Sequence, residues 1–311
     1  MKTLITASEY SDVDGVACAF AYASYLQQKT SEIYEVKFGR GIHIEPEFVL
    51  SQLKIEYDLL SDKDIYESFI LVDVCEPRGL PTIIQKDKVV EVIDHRSFPV
   101  YDAFPNAQFR IEAVGACATQ IAEFFYFDKK ILLSQELASL LLCAIYSNTV
   151  NFQSDTTTFR DLRMKKWLEE TAGEKYTKLP EEMYKFKTEF AKENLKKIML
   201  FDGHIFNGFI HKGIECVVYQ IETADAKSIL ERKNEMQSYF KELFPLIREH
   251  LVLIQDAKEG KTILYSNQED ILAVAETVIP NGIFECDTYT IPKTMMRKSI
   301  KNAFINYQQK K

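Results

Sequence analysis

Three aspartate-bearing segments follow predicted strands in the first half of the chain, where their carboxylates could bind divalent metal ions. Carboxylates with one imidazole suit Mn or Mg, and open α/β sheets place ligands at the carboxyl ends of their strands. Two such ions could activate water and hold both sides of an in-line phosphoryl displacement. The segments are Ser11-Asp12-Val13-Asp14-Gly15, Leu71-Val72-Asp73 and Ile93-Asp94-His95-Arg96, and a fourth candidate, Ser147-Asn148-Thr149, ends an apolar helix.

Each segment alone also has a purely structural interpretation. The Asp12-to-Gly15 segment is typical of a turn or a helix cap, and Asp73 could simply cap the end of a strand. Asp94 and His95 could form a structural hydrogen bond, although an unpaired carboxylate beside a buried strand is costly. The order of the segments on successive predicted strand ends is therefore what favours a metal site.

The elements that must position these residues alternate short apolar runs with helical patterns, which is typical of a parallel sheet covered by helices. We expect strands at 4–6, 35–38, 69–72 and 89–93, and a charged, mostly helical stretch at 158–197. The second half resumes with strands at 208–211 and 214–221, a helix at 226–244 and two further strands. We therefore predict two α/β domains, residues 1–187 and 188–311.

The composition limits the function classes. The chain has 311 residues and a net charge of −8, so nucleic acid is an unlikely main partner, and an anionic substrate needs a local cationic or metal-filled pocket. Six cysteines without a CxxC pair or a secretory signal argue against a disulfide framework. The longest apolar stretch, 137–146, is too short to span a bilayer. We expect a cytoplasmic protein with no membrane partner.

The order Asp-x-Asp, Leu-Val-Asp, Val-Ile-Asp-His resembles the DHH phosphoesterase superfamily. Segments 112–119, 144–150 and 154–161 resemble the manganese-dependent (family II) inorganic pyrophosphatases, and segments 202–207, 220–223 and 296–298 resemble their DHH-associated C-terminal domain. Exopolyphosphatases and prune-type phosphodiesterases share this plan. The resemblance implies an N-terminal parallel-sheet DHH domain with flanking helices, a smaller C-terminal α/β domain and an active site in the cleft between them.

The resemblance also implies residue roles. Asp73 would bridge two ions, and Asp94 would support the site. Arg297 and Lys298 would bind phosphate oxygens, although alone they read as an ordinary basic surface pair. The implied metal ligands are Asp12, Asp14, Asp73 and His95, and the implied catalytic group is Asp73, Asp94, His95 and Arg96.

Four positions depart from the family pattern. Ser8 and Asn148 stand where the family has a His and an Asp ligand, so both would be weak, neutral ligands. Arg96 replaces a substrate-contacting His, as in the prune-type enzymes, and a substrate-binding Lys falls on His204. We expect weaker metal affinity, a smaller lowering of the pKa of a bridging water and a shift in preference from Mn towards Mg.

We therefore expect a metal-dependent phosphohydrolase of the pyrophosphatase or exopolyphosphatase kind, in which one or two ions activate water against a small phosphorylated anion. Arg96, His204, Arg297 and Lys298 would neutralise the developing charge. A second hypothesis is a catalytically impaired homologue that binds a phosphorylated ligand or a protein partner. A nuclease or cyclic-dinucleotide hydrolase is disfavoured, since the chain lacks a C-terminal Gly-Gly-His motif. The resemblance also suggests a homodimer.

Overall fold

The computed structural model describes residues 2–96, 99–208 and 213–308, and all of their side chains except those of residues 201, 298 and 305–308. The chain divides into two compact units. The N-terminal unit comprises Met1–Phe152 and Thr156–Met183, and the C-terminal unit comprises Gln153–Asp155 and Tyr184–Lys311. The domain boundary expected at 187/188 stays a prediction.

The N-terminal unit is built on a parallel sheet of six strands, which confirms the predicted sheet type. Its central strands are almost wholly buried, as expected when helices cover both faces. The spatial order is β5-β3-β1-β6-β7-β8, and β2 and β4 form a separate short parallel pair. The strands are β1 (Lys2–Thr6), β2 (Tyr10–Ser11), β3 (Ile33–Phe38), β4 (Gly41–Ile42), β5 (Asp58–Leu59), β6 (Ser68–Val72), β7 (Val89–Asp94) and β8 (Gln108–Ile111).

Helices rich in Ala, Leu and aromatic residues pack around this sheet. None of the helices in the part of the chain that the structure describes is long and apolar enough to cross a membrane. Two single-turn 3-10 helices lie at Lys86–Lys88 and Tyr101–Ala103. The α-helices are α1 (Val13–Lys29), α2 (Ile44–Leu53), α3 (Cys117–Phe127), α4 (Gln135–Asn148), α5 (Phe159–Ala172) and α6 (Leu179–Glu193).

The C-terminal unit has its own six-stranded sheet, in the order β13-β14-β12-β11-β10-β9, in which only the β10–β11 pairing is parallel. Alternate residues of β10 enter two cores: Val218 packs with α10 and α11, and Val217 packs with α9. The elements are α7 (Leu195–Asp202), β9 (His204–Asn207), β10 (Glu215–Thr223), α8 (Ala226–Leu230), α9 (Lys233–Leu243), β11 (Glu249–Asp256), β12 (Lys261–Tyr265), α10 (Glu269–Val278), β13 (Ile283–Glu285), β14 (Thr288–Ile291) and α11 (Arg297–Gln308).

The strand that the structure shows here begins before the one expected at 208–211. The structure has β9 at His204–Asn207, and Gly208 lies in a turn. Residues 209–212 lie outside the described part of the chain. β9 has two apolar residues, of which Ile205 is exposed and Phe206 is half-buried. This edge strand therefore lacks the continuous apolar run that identifies a buried strand.

Gly15 allows the start of α1 to approach the end of β1 closely. A Cβ atom on Gly15 would lie 2.7 Å from the Cβ of Ala7, and both atoms are fixed by the backbone. This close approach places Asp12 and Asp14 beside the carboxyl edge of the parallel sheet.

Replacing Gly15 by Ala should therefore lower the free energy of unfolding. Overpacking in a tight core costs about 1–3 kcal/mol, and the better helix propensity of Ala returns up to about 1 kcal/mol, so we expect a net loss of about 1–2 kcal/mol in urea unfolding. Gly41→Ala is the control, since its new Cβ would meet Tyr10 at an ordinary 3.6 Å. Equal stability of the two variants would contradict the close approach.

Candidate metal centre

Asp14, Asp73 and His95 lie together where α1 begins and where β6 and β7 end. Each offers one ligand atom, and the three atoms lie within 4.8 Å of one another. His95 Nε2 is 3.6 Å from Asp73 Oδ1 and 4.0 Å from Asp14 Oδ2. Ligands at about 2.1 Å from an octahedral ion are separated by about 3.0 to 4.2 Å. The three side chains therefore match the spacing of a divalent site.

Asp73 carries the most direct sign of a missing cation. Its side chain is 5 % exposed, and its Oδ1 atom is buried without a hydrogen-bond partner among the described residues. Burial raises the pKa of this carboxyl well above its ordinary value, and the Arg96 charge only partly opposes that effect. A buried carboxylate oxygen is costly unless a donor or a cation satisfies it, so Asp73 Oδ1 fits an ion.

His95 is oriented by the backbone that follows β8. Its Nδ1 lies 3.0 Å from the Val114 carbonyl oxygen. Because a carbonyl can only accept, the neutral ring carries its proton on Nδ1, and Nε2 presents a lone pair to Asp14 and Asp73. Histidine ligands of metals are commonly held by such an outer hydrogen bond.

Asp14 is fixed by the N-terminus of α3, although about a hundred residues separate the two in sequence. Its carboxylate accepts hydrogen bonds from the amides of Cys117 (2.8 Å) and Ala118 (2.7 Å) and from Nδ2 of Asn148 (2.5 Å). Asp14 thus caps a helix whose own N-cap residue, Ala116, has no side chain to do so. Burial raises the pKa of Asp14 to about 6, which leaves it mostly ionised at neutral pH.

Asp94 and Arg96 form an ion pair at the turn after β7. Asp94 Oδ1 accepts from the amides of His95 and Arg96, and Oδ2 accepts from Arg96 Nη1 at 2.9 Å. Arg96 also donates to the backbone oxygen of Asp73 and, from Nη2, to Asp73 Oδ2 at 3.3 Å. These carboxylates raise the pKa of Arg96 above its ordinary value, so the guanidinium is a fixed positive charge.

The structure does not bring Ser8 or Asn148 in as oxygen ligands. The Ser8 hydroxyl donates to the Tyr10 carbonyl at 2.7 Å, and Asn148 turns its amide nitrogen towards Asp14. Asp12 is the N-cap of α1, where Oδ1 accepts from the amides of Asp14 and Gly15. Asp12 therefore acts as a helix cap, which is one of the roles that its sequence pattern predicted. Its other carboxylate oxygen, Oδ2, does not take part in this cap.

In the C-terminal unit, three segments of the resemblance meet around one ion pair. Arg297, the first residue of α11, donates Nη1 to both the carbonyl oxygen and Oδ2 of Asp202 at 2.9 Å, and its backbone amide donates to Gln220. Burial raises the pKa of Asp202 to about 6. His204 is exposed on β9. Lys298 follows Arg297 in α11, and its side chain lies outside the described part of the chain.

Sequence reasoning missed Asp161 as an individual residue of the site's support. Its carboxylate is fully buried and accepts from the Gly115 amide, the Thr119 hydroxyl and both donors of Thr158. The bonds to Gly115 and Thr119 hold the loop that carries Val114 and leads into α3. The Thr-x-x-Asp spacing at residues 158–161 is a capping-box pattern and was the available signal.

The donor set as a whole fits a divalent cation. Four aspartates, Asp12, Asp14, Asp73 and Asp94, act on one another or on Arg96 electrostatically. Among the described residues, Arg96 is the arginine that pairs with them. A single guanidinium leaves an excess of negative charge that an ion at Asp14, Asp73 and His95 would neutralise.

Comparison with known proteins agrees with this geometry. Residues 2–145 match the profile "DHH family, N-terminal domain". This part of the chain is similar to the N-terminal domain of the DHH family. The resemblance drawn from the sequence is thereby confirmed, and so is the mixed α/β fold with a separate C-terminal sheet.

Relatives with assigned activities align over most of the chain. The protein is 29 % identical over 282 residues to a manganese-dependent inorganic pyrophosphatase of Methanocaldococcus jannaschii, covering 87 % of this chain and 89 % of the relative. It is 28 % identical to that of Bacillus subtilis, covering 76 % of each chain. A solved Methanococcus jannaschii structure, assigned as a family II inorganic pyrophosphatase, superposes with a TM-score of 0.71 at 26 % identity and covers 98 % of this chain and all of its own.

Replacing Asp161 in the N-terminal unit by Ala should both make the protein easier to unfold and weaken metal binding. Four donors lose their acceptor, so we expect a loss of about 3 kcal/mol in the free energy of unfolding. Manganese affinity should fall by about 10- to 100-fold, as for other residues that orient ligands. Asp155→Ala, an exposed aspartate nearby, is the control. Unaltered manganese affinity in a folded Asp161→Ala protein would contradict the positioning role.

Replacing Asn148 by Asp should have opposite effects on the stability of the metal-free and the metal-loaded protein. Without metal, a hydrogen bond to Asp14 becomes a repulsion between carboxylates, which we expect to cost about 1–3 kcal/mol of stability. With manganese, the added anionic ligand should tighten binding at least about tenfold. Urea unfolding with and without manganese, together with calorimetric titration, measures both effects. Asn106→Asp, at an exposed turn, should leave the affinity unchanged; tighter binding there would instead indicate a general charge effect.

Proposed function

We propose that this protein is a divalent-metal-dependent phosphohydrolase that cleaves small phosphoanhydrides such as pyrophosphate. The observation that carries the proposal is the cluster of Asp14, Asp73 and His95, in which Asp73 presents a buried oxygen with no partner. The names of the aligned pyrophosphatases support both the anhydride substrate and a divalent ion. Polyphosphate and small phosphoesters are related substrates that the same chemistry would accept.

The protein's residues prepare the site before substrate arrives. A divalent ion held by Asp14, Asp73 and His95 would supply Lewis acidity towards phosphoryl oxygens and towards water. Val114 fixes the His95 ring so that Nε2 faces the two carboxylates. The α3 amides keep Asp14 in place. Two carboxylates and one imidazole accept either Mn or Mg, and the expected shift towards Mg stays a prediction.

The residues that would neutralise phosphate charge are assigned by resemblance. Arg297 is held by Asp202 with its guanidinium partly exposed, so one face of it remains for an anion. Lys298 and His204 belong to the same predicted group, and their contact with substrate in a cleft between the domains stays a prediction. A homodimer likewise stays a prediction.

A second candidate function is binding of a phosphorylated ligand without turnover. Specific observations favour it: Asn148 and Arg96 donate to carboxylate oxygens that could otherwise bind ions, and Ser8 is turned towards Tyr10. A centre with fewer ions binds an anion but activates water less.

Metal-free protein should release phosphate from pyrophosphate only after Mn or Mg is added back. Asp73→Asn should lower this rate by at least about 100-fold, since even residues behind the ligands contribute 10- to 100-fold. Tripolyphosphate, long polyphosphate, cyclic AMP and a short RNA are assayed in parallel. Asp102→Asn, which alters an exposed aspartate in a 3-10 turn, is the matched control and should keep the wild-type rate.

The other outcomes separate the alternatives. No phosphate release from any substrate, together with saturable pyrophosphate binding, would favour the impaired homologue. Faster cleavage of RNA than of pyrophosphate would instead place the protein among the nucleases. Activity that survives Asp73→Asn would contradict the proposed centre.

A further inference from the structure

Arg96 divides the two oxygens of Asp73 between different partners. Asp73 Oδ2 accepts from Arg96 Nη2 at 3.3 Å, whereas Oδ1 has no hydrogen-bond donor and faces His95 Nε2 at 3.6 Å. A carboxylate that bridges two ions through both of its oxygens gives one oxygen to each. In this chain the guanidinium holds the oxygen that a second ion would need.

Two further hydrogen bonds hold the Arg96 guanidinium in this position. Nη1 donates to Asp94 Oδ2 at 2.9 Å and to the Asp73 backbone oxygen. Asp94 is itself fully buried and tied to the backbone amides of His95 and Arg96. The planar fork of Arg suits such multiple contacts to carboxylates and stays charged at any physiological pH. Displacing it would leave Asp94 buried beside Asp73 with no counter-charge.

The other two ligands that the resemblance implies for a second ion, Ser8 and Asp12, offer it little. Ser8 contributes a neutral hydroxyl that is already bonded to the Tyr10 carbonyl. Asp12 uses one carboxylate oxygen to cap α1. A hard divalent ion needs several oxygen or nitrogen donors and compensating negative charge. Asp12 Oδ2 would be a single donor, and the negative charge of Asp12 already acts on the Arg96 guanidinium.

We propose that the centre holds a single divalent ion, at Asp14, Asp73 and His95, and that Arg96 takes the place of a second ion as a fixed positive charge. This inference rests on the proposed metal-dependent function, because it assumes that the first site binds. It makes Arg96 a residue that determines metal stoichiometry, whereas the sequence suggested only a contact with substrate phosphate.

The test counts ions rather than activity. Wild-type protein is stripped of metal and titrated with manganese by calorimetry, and bound manganese is measured after gel filtration. We expect one ion per chain. Ser8→His should still bind one ion, since Arg96 keeps Asp73 Oδ2. Ser8→His combined with Arg96→Gln should bind two ions.

A matched control removes an arginine elsewhere. Arg110 on β8 pairs with Glu112, and its side chain is 37 % exposed, against 45 % for Arg96. Ser8→His with Arg110→Gln should therefore remain at one ion. Electron paramagnetic resonance distinguishes the same states, because two manganese ions bridged by Asp73 are exchange-coupled and a single ion is not.

Each result bears on one of the two claims. Two ions in the wild type or in Ser8→His alone would overturn the role of Arg96 while leaving metal-dependent hydrolysis intact. A folded Ser8→His, Arg96→Gln protein that still binds one ion would also overturn it. Wild-type protein that binds no ion would contradict the proposed function itself. The wild-type and Ser8→His titrations do not depend on whether the Arg96 variant folds.

Discussion

Buried negative charge at one edge of the parallel sheet is the constraint on which the N-terminal unit depends. Asp14, Asp73 and Asp94 are all almost completely removed from water, and burial of an unpaired carboxylate is strongly unfavourable. Each is satisfied differently: Asp14 by helix amides, Asp94 by Arg96 and two backbone amides, and Asp73 by Arg96 on one oxygen only. The remaining oxygen of Asp73 is where we propose that a cation binds.

This charge also explains the support that surrounds the site. The loop before α3 must present amides to Asp14 and a carbonyl to His95, and both depend on the position of residues 114–118. Asp161 holds that loop by accepting a hydrogen bond from the Gly115 amide. A Cβ atom added at Gly115 would collide with Asp161 and Thr149, so the approach is close. A helix far along the chain thereby fixes the orientation of the ligands. Rigid support of this kind reduces the reorganisation that binding an ion requires.

The parts of this arrangement that follow sequence periodicity could be predicted, and the parts that depend on side-chain direction could not. β6 and β7 are rich in buried apolar residues and are followed or ended by Asp73 and Asp94, so the strands and the positions of these aspartates could be predicted. The sequence does not show that the Arg96 side chain donates to the Asp73 carboxylate. Nor does it show that Asn148 directs its amide nitrogen, rather than its oxygen, towards Asp14. Both follow from how many donors the buried carboxylates need. The bounds of the exposed strand β9 could not be predicted, because it has no run of buried apolar residues.

Fixed N–H donors and bound ions neutralise the same carboxylates with different consequences for chemistry. A guanidinium or an amide is always present and needs no metal supply, but it cannot polarise water as a Lewis acid does. Every carboxylate oxygen given to Arg96 or Asn148 therefore makes the fold less dependent on metal and removes one point at which an ion could act. The oxygen left on Asp73, facing His95 and Asp14, is where the chain retains that chemistry. If the proposed hydrolysis holds, its rate depends on how the buried charge is divided between permanent and exchangeable cations.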